Sequence, residues 1–87
     1  MTEIPMLLVK HFGEVSKNKR GWSKEFNLIS WNGRKPKFDV REWSEDRKKS
    51  SKGLTLTLNE IIALKDIFVS IDFSEFQTKD SEDGGYD

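Results

Sequence analysis

Trp31, Arg41 and Trp43 are the residues whose types and spacing point most directly to chemistry, and that chemistry is adhesion rather than catalysis. They lie in the stretch Ser30 to Thr57, SWNGRKPKFDVREWSEDRKKSSKGLTLT, where flat aromatic rings are set among Lys and Arg. Aromatic faces stack on unpaired bases, for roughly 1–3 kcal/mol each, while cations follow the sugar-phosphate backbone. The same residues have ordinary fates too: Trp is more often a core residue, and Asp39 is a ready ion-pair partner for Arg41.

Catalytic groups are not assembled anywhere in the chain. His11 is the single histidine, cysteine is absent, and the acids form no cluster at ligand or general acid–base spacing. No glycine-rich phosphate loop occurs. The expectation is a protein that is not an enzyme and takes neither cofactor nor metal.

The elements that must position the aromatic and basic residues are mostly strands. Phe38 and Val40 take one parity and Lys37, Asp39, Arg41 and Trp43 the other, so a strand here packs one face inward and presents cations around an indole on the opposite face. Before it, Asn32-Gly33 is a hairpin signal, since both residues tolerate positive φ, and Pro36 stands at a strand start, where its missing N–H does least harm. Lys24 to Trp31 forms the preceding strand, in which Phe26 and Leu28 alternate before Ile29 and Trp31 take the other parity. Either that strand is covered on both faces or it carries a bulge. Met6 to Val15 is a β-rich apolar run with broken alternation, and a bulge at Gly13 would let Phe12 and Val15 share a face. Asn18 and Gly21 break the chain between these two strands.

Ser44 to Lys52 is a charged loop, Gly53 to Thr57 a short strand with Leu54 and Leu56 inward, and Thr57 with Glu60 a capping box opening a helix from Leu58 to about Asp72. Ile61, Leu64, Phe68 and Ile71 form one apolar stripe on it. Leu58, Ile62, Ile67 and Val69 widen the arc beyond the roughly 100° that a single core needs. The second stripe is expected to pair with another copy across a two-fold axis, or else to lie under the N-terminal segment of its own chain.

Charge divides the chain although it sums to zero. Residues 1–73 carry 14 Lys plus Arg against 10 Asp plus Glu, while residues 74–87 carry one Lys against five acids. Residues 1–73 read as one basic domain, and residues 74–87 as an acidic, disordered tail. The cations gather at Lys17-Lys19-Arg20, Arg34-Lys35-Lys37 and Arg47-Lys48-Lys49-Lys52, each with an aromatic nearby. No run approaches the ~18 apolar residues of a spanning helix, and MTEIPMLLVKHF is charged too soon for a signal peptide. A soluble, cytoplasmic protein associated with the nucleoid of a bacterial or phage-infected cell is expected, without membrane contact.

GWSKEFNLISWNG, PKFDVREW and KGLTLT followed by a capped helix, in that order, resemble the YdbC-like bacterial branch of the transcriptional positive cofactor four family over about residues 8–71. The resemblance implies an α+β fold of order β-β-β-β-α, a curved four-stranded antiparallel sheet with one C-terminal helix, homodimeric through helices and strands. It also implies single-stranded DNA binding with little sequence preference. By position, Arg41 matches an arginine that contacts the DNA backbone, Trp43 the aromatic just beyond it, and Trp31 a stacking aromatic. Lys35 or Lys37 matches the basic residue of the turn, Lys52 the lysine before the fourth strand, and Lys24 a lysine of the bacterial branch. The eukaryotic members carry one more residue between the arginine and the tryptophan, and their serine-rich N-terminal region is absent here.

The residues expected to meet nucleic acid are thus Trp22, Lys24, Trp31, Arg34, Lys35, Lys37, Arg41, Trp43 and Lys52, with Trp31 and Trp43 solvent-facing. Leu58, Ile62, Ile67 and Val69 are expected to dimerise. Transcription, replication and repair all fit, the acidic tail either competing for the DNA face or recruiting replication or transcription proteins. RNA is an alternative ligand, and a protein-interaction module using exposed tryptophans an alternative function.

Overall fold

A computed structural model describes residues 6–77 of the chain. Four antiparallel strands in sequential order form one sheet: β1 (Met6–Lys17), β2 (Ser23–Trp31), β3 (Lys37–Trp43) and β4 (Leu54–Leu56). Helix α1 (Leu58–Val69) follows, and then a 3-10 turn, Phe73–Phe76. The expected β-β-β-β-α layout is therefore present.

Local chemistry accounts for the joints. Asn32 and Gly33 have φ of 56° and 74°, and Pro36 immediately precedes β3. Asn18 closes the first turn, its side-chain oxygen accepting from the backbone N–H groups of Arg20 and Trp22, while Gly21 takes φ 85°. At the helix start, the Thr57 hydroxyl accepts from the Glu60 N–H at 3.1 Å and the Glu60 carboxylate accepts from the Thr57 N–H at 2.8 Å. This reciprocal pair fixes the first turn, as the Thr-x-x-Glu spacing requires. The helix ends earlier than expected, at Val69, because Ser70 turns its hydroxyl back onto the Ile67 carbonyl and caps it. Asp72 then caps the 3-10 turn, accepting from the Ser74 N–H. Of the expected tail, residues 78–87 lie outside the described residues.

Strand β1 is more irregular than a single bulge at Gly13. Its register against β2 shifts between Leu8 and Lys10, between His11 and Gly13, and between Glu14 and Ser16. Val9, Phe12 and Val15 are thus the extra residues of three bulges spaced three apart. Each bulge adds twist and bends the strand. Phe12 stacks with Phe26 and Phe38 at centroid separations of 5.2 and 5.9 Å, which places it on the apolar side of the sheet.

Strand β2 runs against β3 without a register shift from Ser23↔Trp43 to Ile29↔Lys37, so its change of apolar parity is not a bulge. It is covered on both faces. Phe26 and Leu28 are half-buried on the side of Phe38 and Val40, and Ile29 is fully buried on the other side. Helix α1 touches the sheet through β3 and buries none of its residues completely. Ile61, Leu64 and Ile71 are half-buried, whereas Phe68, assigned to the same inward stripe, remains 51% exposed and meets Phe73 edge-on at 6.0 Å. No helix among the described residues is long and apolar enough to cross a membrane.

Candidate nucleic-acid interface

The face of the sheet opposite Phe26 and Phe38 is built from the odd-numbered residues of β2 and β3, and it is polar yet buried. Glu25 pairs across the strands with Arg41, Asn27 with Asp39, and Ile29 with Lys37. Asn27, Asp39 and Ile29 are 0% exposed and Glu25 is 4% exposed. Burying carboxylates is costly unless they are paired and hydrogen-bonded. Both are. Arg41 donates from Nε and Nη2 to the two oxygens of Asp39 at 2.8 and 2.7 Å, and Arg47 donates from Nη1 and Nη2 to those of Glu25 at 2.6 and 3.0 Å. Asn27 continues the row, donating to Glu25 at 3.2 Å, with its own oxygen 2.7 Å from His11 Nδ1.

The same two arginines cover the two tryptophans. Arg41 lies 4.6 Å from the Trp31 ring centroid and Arg47 lies 5.4 Å from that of Trp43. Along the register Arg41 stands opposite Glu25, six residues from Trp31 on the same strand, roughly 20 Å at the strand rise. Their side chains nevertheless meet, so both lie down along the face. They roof the interval that holds Asn27, Asp39 and Ile29, which is why those residues are dry.

This arrangement corrects the expected facing of Trp43. Its parity is as read, on Arg41's side of the strand, yet it is 6% exposed, because Arg47 returns from the Ser44–Lys52 loop to lie over it. Trp31 is partly covered rather than open. Neither indole N–H has an acceptor among the described residues, although both are buried. The ion pair of Arg41 with Asp39 is the ordinary alternative foreseen for that arginine, and it coexists with the contact to Trp31.

Arg47 and Glu25 were missed as site residues. Arg47 adopts φ 65°, a left-handed conformation that costs energy outside glycine. The loop imposes it: Arg47 N–H donates to the Ser44 carbonyl, Ser44 N–H to that of Lys49, and Asp46 Oδ1 accepts from the Ser44 hydroxyl and the Lys48 N–H. Those two bonds hold the Asp46 carboxyl below the usual range, the Lys48 N–H contributing most. The Arg47 guanidinium in turn lowers Glu25 from 4.5 to about 2, against the opposing effect of burial. The local signal was Ile29, an apolar residue sharing the parity of Glu25 and Asn27, which marks that face of β2 as covered.

The remaining cations fall into two groups. Lys24, Arg41 and Lys52 share a cleft of about 410 Å³ with Val40, Glu42 and Ser51. Gly53 is what allows the chain to pass there, since a Cβ on it would stand 2.5 Å from Arg41 Cβ and 2.6 Å from Arg41 Nε. Arg34, Lys35 and Lys37 are exposed at the other end, around the turn that leaves Trp31. The Arg34 carbonyl is tied to the Ser30 hydroxyl at 2.6 Å, and its N–H donates to the Trp31 carbonyl. Trp22, half-buried, stands away from both groups in a second cleft, with Arg20 5.4 Å from its ring. Leu58, Ile62, Ile67 and Val69 leave an apolar surface on the helix, 46–76% exposed.

Comparison with known proteins agrees with this layout. A Treponema pallidum (strain Nichols) protein of uncharacterised function is 44% identical over 69 residues, covering 79% of this chain and 81% of its own length. The family model for Transcriptional Coactivator p15 (PC4) matches residues 17–67, from the end of β1 through most of α1. Strands β2 to β4, the basic loop, the Lys52-Gly53 pair and the capped start of the helix fall inside that match, and the chain belongs to the PC4 family, which associates it with nucleic-acid binding and transcription.

Proposed function

We propose that this protein is a non-enzymatic binder of single-stranded DNA with little sequence preference, acting in transcription or in the handling of unpaired strands. One observation carries the reading: Arg41, fixed by a buried carboxylate, lies against Trp31, with Arg34, Lys35 and Lys37 exposed beside them. A guanidinium held over an indole offers a planar group on which a base can stack. The two arginine–tryptophan pairs then act as stacking platforms set along the face, and the turn and cleft cations hold phosphates.

Stacking tolerates every base, and among the described residues no helix carries an arginine to read base edges, so affinity outweighs specificity. The open helix surface of Leu58, Ile62, Ile67 and Val69 is suited to pairing with a second copy, which doubles the track available to one strand. Labelled oligo-dT titrated at two salt concentrations, beside a duplex of equal length, tests the reading. Single strands bind more tightly, with a log–log salt slope of about −0.7 per phosphate contact. Equal duplex affinity contradicts it. Matched RNA competing as well as DNA moves the ligand to RNA on the same surface.

A further inference from the structure

The three tryptophans differ in what holds the arginine above them. Arg41 and Arg47 are forked to buried carboxylates, so Trp31 and Trp43 keep their covers. Arg20 forms no ion pair among the described residues, and the Asn18 bond to it engages only its backbone N–H. Its guanidinium is the cover most easily displaced by another flat group. Trp22 moreover lies in an open cleft of about 410 Å³, with Ser44, Glu45, Asp46 and Lys49 on the opposite wall.

The polar groups of that wall are not equivalent. Asp46 is engaged by Ser44 and the Lys48 N–H. Glu45 forms no hydrogen bond or ion pair among the described residues, and its Oε1 stands 3.2 Å from the position of a Cβ on Gly21. Its carboxylate therefore reaches back toward the turn that carries Trp22. A carboxylate only accepts hydrogen bonds. The pairing edge of guanine offers adjacent N1–H and N2–H donors that match its two oxygens, whereas thymine and uracil present two carbonyls flanking one N–H. Adenine and cytosine offer an amino donor beside a ring acceptor.

Resting on the single-strand reading above, we infer that this cleft is a nucleobase pocket selective for guanine. The base stacks on Trp22 in the place of the Arg20 guanidinium, Glu45 accepts from N1–H and N2–H, and Lys49 with the displaced Arg20 meets the flanking phosphates. A largely non-specific binder thereby gains one position at which base identity counts.

The test compares the wild-type full chain with oligo-dT and with the same oligonucleotide bearing one central dG, deoxyinosine or dA, by fluorescence anisotropy at fixed salt. A good bidentate pair discriminates by about 1–3 kcal/mol, and an exposed cleft belongs at the low end, so dG lowers Kd by about 5- to 10-fold. Deoxyinosine, lacking the N2 amine, falls between dG and dT. Glu45→Gln brings the dG and dT ligands together, and Trp22→Ala raises Kd for both. A dG:dT ratio of one in the wild type, with oligo-dT still bound, overturns the pocket and leaves the single-strand reading intact. Tighter binding of dA than dG overturns it equally. Failure to bind any oligonucleotide sinks both.

Discussion

The guanidinium of Arg41 lies 4.6 Å from the ring centroid of Trp31 while donating to both oxygens of a carboxylate, Asp39, that is wholly buried. Arg41 is therefore both a structural cation and the cover of an indole, although its side chain is only 15% exposed, and its two roles are separable by substitution. Arg41→Met keeps the stem and strands the Asp39 charge. Loss of one partner of a buried pair costs about 3–5 kcal/mol, to be read from urea unfolding. Adding Asp39→Asn to Arg41→Met restores much of the stability, and a double-mutant cycle gives the coupling.

Glu25, its pKa lowered by Arg47, makes the fold sensitive to acid. Glu25 titrates near 4.5 unfolded and at about 2 folded, so its stabilisation is present above pH 4.5 and is lost as pH falls toward 2. Because Arg47 is half-exposed, solvent screening reduces the effect to about 2 kcal/mol. Thermal unfolding of the wild type should fall off between pH 4.5 and pH 2 more steeply than that of Glu25→Gln, which starts lower at neutral pH.

Gly53 is predicted to tolerate no side chain. Gly53→Ala drives a methyl into Arg41 and to within 2.7 Å of the Val40 carbonyl, costing about 1–3 kcal/mol and disturbing the Arg41 fork. Gly13→Ala, where nothing lies within 4 Å, is the control and changes the unfolding midpoint little.

Helix α1 is predicted to hold two copies together. Ile62→Glu places a charge in the middle of its exposed apolar surface, which otherwise includes Leu58 and Val69. Sedimentation equilibrium should show a dimer for the wild type and a monomer for the variant, with the far-UV spectrum of the sheet retained. A wild-type monomer at every concentration contradicts the pairing.

Much of this was legible because the signals are local. Thr57 with Glu60, Asn32 with Gly33, and Asn18 with Gly21 fix helix start and turns within four residues, and strand parity alone separates Trp31, Arg41 and Trp43 from Phe38 and Val40. What parity could not give is how a polar face buries itself. Trp43 is covered by Arg47, whose position depends on an acid 22 residues back in the chain and on a loop conformation unusual outside glycine. Nor does alternation expose three evenly spaced bulges in β1, since each one shifts the register by a residue and erases the pattern that would reveal it.

The central claim is that single-stranded DNA lies on the face roofed by the Arg41–Trp31 and Arg47–Trp43 pairs and its bordering cations. Titrating ¹⁵N-labelled protein with oligo-dT while following the backbone amide, indole N–H and arginine Nε–H signals tests it most directly. The account predicts large shifts at Trp31 and Arg41, with smaller ones at Lys35, Lys37 and Lys52, and little change at Ile62 and Val69. Shifts confined to the helix surface, or none at saturating oligonucleotide, would contradict it.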